Sequence, residues 1–188
     1  VVSRSVAILG PQGAGKSSIA ALFGEHRGYQ RHGIADAIKH LANLAYRQLG
    51  KDETLTVDRY TGLTVITGRE LLQDIGAALR EVDRKFWLRV WRQDYFELQR
   101  LGYGVVIDDV RLPEETQYLK LVDPEIFVVR LTADHEVRER RMGGQLLGSG
   151  DITETGWTAS EFDLTVDTSS ISPEEAYRQI TDAMEEVV

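Results

Sequence analysis

Gly10-Pro11-Gln12-Gly13-Ala14-Gly15-Lys16-Ser17 is a complete G-x-x-x-x-G-K-S, and the rest of the chain is read outward from it. Ahead of it, residues 5–10 (SVAILG) form a short apolar run ending in glycine; behind it, residues 17–23 carry a helical pattern. Strand, loop and helix in that order make a phosphate-binding loop. Glycines let the backbone wrap an anion with its amide N–H groups pointing inward, and the helix that follows presents its positive N-terminal end. Gly10, Gln12, Gly13, Ala14, Gly15, Lys16, Ser17 and Ser18 are therefore the candidate ATP contacts. Lys16 would bridge β- and γ-phosphate oxygens, and the Ser17 hydroxyl would ligate Mg²⁺.

Such a loop needs an acid at the end of a neighbouring strand, and VVIDDV at 105–110 offers two. Alternation along a strand sends Asp108 and Asp109 to opposite faces, so one of them faces the metal. Asp109 is taken as the metal-side carboxylate, with Asp108 open as the alternative. Residues 126–131 (IFVVRL) and 163–167 (DLTVD) also read as strands, and the unbroken β-branched runs suit strands covered on both faces. Helical stretches fall at about 35–49, 69–82, 85–101 and 134–142, and Ser172-Pro173-Glu174-Glu175 marks a further helix start. Strands alternating with helices predict a parallel sheet flanked by helices within one domain over residues 1–188.

Composition narrows the class. The 188 residues include no Cys, which removes disulfides, thiolate metal sites and thiol catalysis. The net charge of −8 is concentrated in residues 151–188, leaving residues 1–150 near neutral, so no basic track for a nucleic acid polymer is expected. No 18-residue apolar run or charged-then-apolar leader is present, which predicts a soluble, unexported, cytoplasmic protein without a membrane partner. The single Asn, Asn43, lies in a leucine-rich helix, so the guanine-reading N-K-x-D is absent. Motor ATPases and helicases need a larger core. What is left is a small kinase.

Transfer between two anions calls for arginines that position both and neutralise developing charge. Arg69, Gln73, Gly76 and Arg80 fall at i, i+4, i+7 and i+11, within about 40° of one helical line. A ligand lying close to the backbone would explain the glycine in that stripe. Arg138 and Arg141 share a face in DHEVRERRM, ahead of the Gly-rich segment 143–156. A helix and loop of this composition, about 134–156, are suited to a closing lid. An acceptor base could stack on Tyr60, Trp87 or Trp91, although tryptophans at i, i+4 also suit a core.

These features resemble the bacteriophage-type deoxynucleoside monophosphate kinases, within the wider P-loop nucleoside monophosphate kinases. Beyond the phosphate loop, Ala35-Asp36-Ala37-Ile38-Lys39 is similar to that family's F-A-D-x-x-K. Residues 68–76 (GRELLQDIG) are similar to G-R-x-x-L-Q-x-x-G, and residues 109–115 (DVRLPEE) to D-V-R-F-P-x-E. The resemblance implies a P-loop kinase fold with a five-stranded parallel sheet, an acceptor-binding region at about 35–95 and an Arg-rich lid. It implies ATP- and Mg²⁺-dependent transfer to a deoxynucleoside 5′-monophosphate, giving the diphosphate, in the host cytoplasm if the chain is phage-encoded. Asp36, Lys39, Arg69, Gln73 and Arg80 would meet the acceptor, with Arg111 and Glu154 beside it. Lys16, Asp109, Arg111, Arg138 and Arg141 would surround the transferring group, Arg138 also touching ATP, and Glu115 would orient Arg111. Base preference and oligomeric state stay open, a homodimer included. Another small-molecule kinase, such as dephospho-coenzyme A kinase, shares the loop and lid and differs in acceptor. A non-catalytic nucleotide-binding regulator would keep Lys16 but have no use for arginines on both sides.

Overall fold

The computed structural model describes residues 4–46, 50–144, 146 and 161–186. Among the described residues fourteen elements follow one another: β1 (Val6–Leu9), α1 (Lys16–Arg27), β2 (Gln30–Arg31), α2 (Asp36–Tyr46), β3 (Thr54–Arg59), β4 (Gly62–Thr67), α3 (Gly68–Val82), α4 (Phe86–Arg100), β5 (Val105–Val110), α5 (Pro113–Val122), β6 (Phe127–Thr132), α6 (His135–Arg141), β7 (Leu164–Asp167) and α7 (Pro173–Glu186). They form two compact units: residues 1–33 with 94–188, and residues 34–93, the boundary falling inside α4.

The first unit is built on a five-stranded sheet in the order β2-β5-β1-β6-β7, every neighbouring pair parallel. All four residues of β1 are buried, as expected of a central strand between β5 and β6. The order reverses beside β1: the chain leaves it for β2 on one side and later adds β6 on the other. In open parallel sheets ligands bind at the carboxyl ends of the strands at such a reversal, and here that end is where the glycine-rich loop begins. Ile8, Ile19, Phe23, Val129, Leu131, Val166, Ala176 and Ile180 form a core joining the sheet to α1 and α7. Ser172 Oγ accepts from the Glu175 amide at 3.1 Å, so α7 starts at the cap its sequence announces.

Two pieces of this unit escape the sequence reading. β2 has two exposed residues and no apolar signal, yet it completes the fifth strand by pairing Gln30 with Val105 and Arg31 with Val106. α5 begins Pro113-Glu114-Glu115, the same opening as α7, but with Leu112 where a capping hydroxyl would stand. Glu115 supplies the cap instead, its carboxylate accepting from the Arg111 and Leu112 amides at 2.7 and 3.0 Å. Glu115 thus orders the backbone of Arg111.

The second unit holds α2, the antiparallel hairpin β3–β4 and α3. The hairpin lies between two helices of the sequence reading and is the one element pair it misses there. Leu55, Val57 and Ile66 pack with Ala42, Leu71, Leu72 and Ile75 to form its core. α3 is fastened at its start by a reciprocal cap: the Thr67 hydroxyl accepts from the Glu70 amide at 3.2 Å while Glu70 Oε2 accepts from the Thr67 amide at 2.7 Å. Those bonds from Thr67 hold the Glu70 carboxyl below its ordinary value. Trp87 and Trp91 are buried, and Trp87 donates its indole N–H to the Gly76 carbonyl at 3.0 Å. Neither ring is available for stacking on a base, whereas Tyr60 is fully exposed at the hairpin turn.

Candidate active site

In the first unit the loop after β1 has the backbone that anion binding requires. Gly10, Gly13 and Gly15 all have positive φ, at 144°, 81° and 94°. Only glycine adopts the first of these readily, and a Cβ at Gly10 would also strike the Leu131 carbonyl. Gly15 is the N-cap of α1, so the helix begins at Lys16 with Ser17 and Ser18 exposed in its first turn. Lys16 Nζ donates to the Gly10 and Pro11 carbonyls at 2.5 and 2.9 Å. The ammonium is thus held over its own loop, where a phosphate would offer it stronger, charged acceptors.

At the end of β5 the two acids separate as strand alternation requires. Asp108 is buried, with Oδ1 2.7 Å from Arg31 Nη2 of β2, an ion pair lying off the hydrogen-bond line. Asp109 is half-exposed and packs on the backbone of Gly33, where a Cβ would lie 2.5 Å from Oδ2. Residues 31–33 therefore govern both acids, Arg31 by charge and Gly33 by leaving room. This contribution was hidden in the sequence because the partners are more than 70 positions apart. Asp109 and Ser17 are hard oxygen donors of the kind Mg²⁺ takes. Among the described residues no three His, Asp or Glu side chains gather on one point, so phosphate oxygens and water would complete the shell. The Arg111 side chain is exposed beside Asp109 in sequence.

α6 carries the arginines of the second cluster. Arg138 donates Nε–H to the Ala133 carbonyl at 3.1 Å, and its backbone abuts Gly13, where a Cβ would stand 2.9 Å from the Arg138 carbonyl oxygen. Arg141 donates from Nη1 to the Gly13 carbonyl at 3.2 Å and to the Thr168 hydroxyl at 3.1 Å. Its Nη2 reaches the Thr168 carbonyl at 2.6 Å. Arg141 is thus bound to one carbonyl of the loop and to Thr168. Residues 147–160, with Asp151, Glu154 and most of the Gly-rich segment, lie outside the described residues, as do 47–49 at the end of the helix expected over 35–49.

The second unit carries the remaining candidates. Lys39 Nζ pairs with Asp36 Oδ1 at 2.6 Å in the first turn of α2. Arg69 is 41% exposed and lies 3.4 Å from the still more exposed Asp52, a loose pair of small worth. Gln73 and Arg80 are exposed on the same line of α3. Gly76, expected to admit a ligand, is approached by the protein itself: a Cβ there would meet Arg80 Nη1 at 3.3 Å and Ile38 Cδ1 at 3.4 Å. The bare position lets Arg80 fold back along its helix and α2 pack close.

Residues 4–185 match the family described as Chloramphenicol phosphotransferase-like protein. The chain belongs to that family. Solved structures share its fold at low identity. The APS kinase CysC of Mycobacterium tuberculosis, in complex with AMPPNP and APS, superposes with a TM-score of 0.59 at 19% identity over 97% of this chain and 98% of that one. A gluconokinase from Sinorhizobium meliloti 1021 gives 0.54 at 18% identity over 99% and 94%, and a shikimate kinase from Acinetobacter baumannii 0.51 at 12% over 97% and 93%. No curated protein matches the sequence. Fold and family membership together support a P-loop kinase phosphotransferase. No helix among the described residues is long and apolar enough to cross a membrane.

Proposed function

We propose that this family member transfers the γ-phosphoryl group of ATP to a deoxynucleoside 5′-monophosphate. The observation that carries the reading is the line of Arg69, Gln73 and Arg80 on α3, presented from a helix capped firmly at its start. Charge agrees: residues 34–93 hold ten Lys and Arg against eight Asp and Glu, net +2, while the other residues hold 12 against 22, net −10. The Asp36 carboxylate, which alone would repel an incoming phosphate, is neutralised by Lys39 at 2.6 Å. Arg69 would exchange its loose Asp52 contact for a forked pair with the acceptor phosphate.

In the donor half, Lys16 would leave the Gly10 and Pro11 carbonyls for β- and γ-phosphate oxygens, and the loop amides would take the β-phosphate. Ser17 and Asp109 would hold Mg²⁺, which supplies neutralising charge between those phosphates. Arg111 and Arg138 are the guanidiniums proposed to stabilise the transferring group. The bond to ADP breaks as an acceptor phosphate oxygen bonds to the same phosphorus.

A hydroxyl acceptor is the second reading, favoured by Asp36 as a base and by the phosphotransferase after which the family is described. An ADP-release assay over deoxy- and ribonucleoside monophosphates, chloramphenicol, shikimate, APS and dephospho-coenzyme A separates the two. The first reading expects turnover with at least one deoxynucleoside monophosphate and none with the hydroxyl acceptors. The reverse pattern overturns it, and no turnover with tight ADP binding would favour a regulator.

A further inference from the structure

Thr168, in the turn between β7 and α7, is buried although its side chain is polar. Its hydroxyl lies 3.0 Å from the Ala14 carbonyl and 3.1 Å from the Thr132 carbonyl, and it accepts from Arg141 Nη1. Arg141 reaches past it to the Gly13 carbonyl. Two successive carbonyls of the phosphate loop are therefore held by side chains that lie 128 and 154 positions further along the chain. We propose that Thr168 and Arg141 are positioning residues, a strap that keeps the phosphate loop in its anion-binding shape before nucleotide arrives.

The argument is one of peptide geometry. In a planar trans peptide the C=O and the next N–H point in opposite directions. Drawing the Gly13 and Ala14 carbonyls toward the strap turns the Ala14 and Gly15 amides away from it. The Ala14 amide closes the turn on the Pro11 carbonyl at 3.3 Å. The Gly15 amide, at the mouth of α1, faces the side on which an anion meets the helix N-terminus. A loop with three glycines in six residues has many other conformations, and ordering each residue costs about 1–2 kcal/mol. A strap that settles this in the free protein leaves less ordering to be done on binding.

This inference rests on the nucleotide reading of the loop but on no choice of acceptor. The test measures amide exchange over residues 10–16 in the nucleotide-free protein and ADP affinity by calorimetry, for Thr168→Val, Thr168→Ser and Arg141→Met. Thr168→Val and Arg141→Met are expected to speed exchange in the loop while β6 and β7 keep their protection. Each should raise the ADP Kd by about tenfold, as loss of one net hydrogen bond would. The double variant should lose less than the product of the two, because both cut one strap. Thr168→Ser, which keeps the hydroxyl, should restore most of both readouts.

Unchanged loop exchange and ADP affinity in folded Arg141→Met would overturn the strap, as would a Thr168→Ser as damaged as Thr168→Val. Should Thr168→Val fail to fold, Arg141→Met decides alone, since it alters an exposed residue. A wild-type chain that binds no ADP counts against the nucleotide reading, and loop exchange still judges the strap.

Discussion

The proposed donor half and the proposed acceptor half of this chain are held by different means. In the unit of residues 1–33 and 94–188, several groups are fastened from a distance: Asp108 by Arg31, Asp109 by the space at Gly33, and the phosphate loop by Arg141 and Thr168, while Lys16 and Arg138 rest on carbonyls five or six positions away. In residues 34–93 the candidates are held by near neighbours, Lys39 closely by Asp36 three positions away and Arg69 loosely by an exposed Asp52. Phosphate chemistry asks for a rigid cradle whatever the acceptor, while acceptor arginines must give up their partners when a ligand comes. The contrast fits the proposed division between a common donor and a particular acceptor.

The largest way to break that contrast is at Lys16. Replacing it by Ala should lower turnover by at least about 10²–10³-fold, the usual loss for one preorganised charge-stabilising donor. Its ammonium donates to two carbonyls of its own loop, which a ligand phosphate would replace, so the melting temperature should hardly move. Near-normal turnover in a steady-state assay would remove the kinase reading.

Gly33→Ala should come next. The new Cβ, 2.5 Å from Asp109 Oδ2, must push that carboxylate aside. A loss of about 10–100-fold in affinity for Mn²⁺ in the ADP complex is expected, as for other supporting residues at metal sites, with metal-free ADP binding unaltered. Electron paramagnetic resonance titration measures it, and unchanged Mn²⁺ affinity would place the metal away from Asp109.

In residues 34–93 the rigid point is the start of α3, not its arginines. Thr67→Ala removes the hydroxyl half of the reciprocal cap, leaving Glu70 on the residue-67 amide, and should cost about 1 kcal/mol of stability, measured by urea unfolding. Trp87→Phe deletes the bond to the Gly76 carbonyl and should cost a similar or smaller amount, about 0.5–1.5 kcal/mol. Neither change should disturb ADP affinity, which follows the other unit.

The same contrast explains what could be read from the sequence. The phosphate loop is contiguous because its chemistry is done by neighbouring backbone amides, so G-x-x-x-x-G-K-S and the flanking β1 and α1 were legible together. The buried strands β5 and β6 stood out as β-branched runs. β2 did not, because an edge strand of two exposed residues carries no apolar signal. The hairpin β3–β4 does alternate, in Thr54-Leu55-Thr56-Val57 and Leu63-Thr64-Val65, but these runs of four and three residues on either side of 58–62 are short, and their strand signal went unread. Arg31, Gly33 and Thr168 take their meaning from partners at 108, 109 and 14, a pairing that only the sheet order creates. Gly76 was legible as unusual, but not as the place where Arg80 and Ile38 close in.

The most direct test of the division between the halves is a pair of calorimetric titrations on Arg69→Ala, one with ADP and one with the deoxynucleoside monophosphate that supports turnover. Loss of a charge-assisted pair should raise the monophosphate Kd by about 10–100-fold and leave the ADP Kd within error. Equal weakening of both ligands, or of neither, would contradict the assignment of acceptor recognition to residues 34–93.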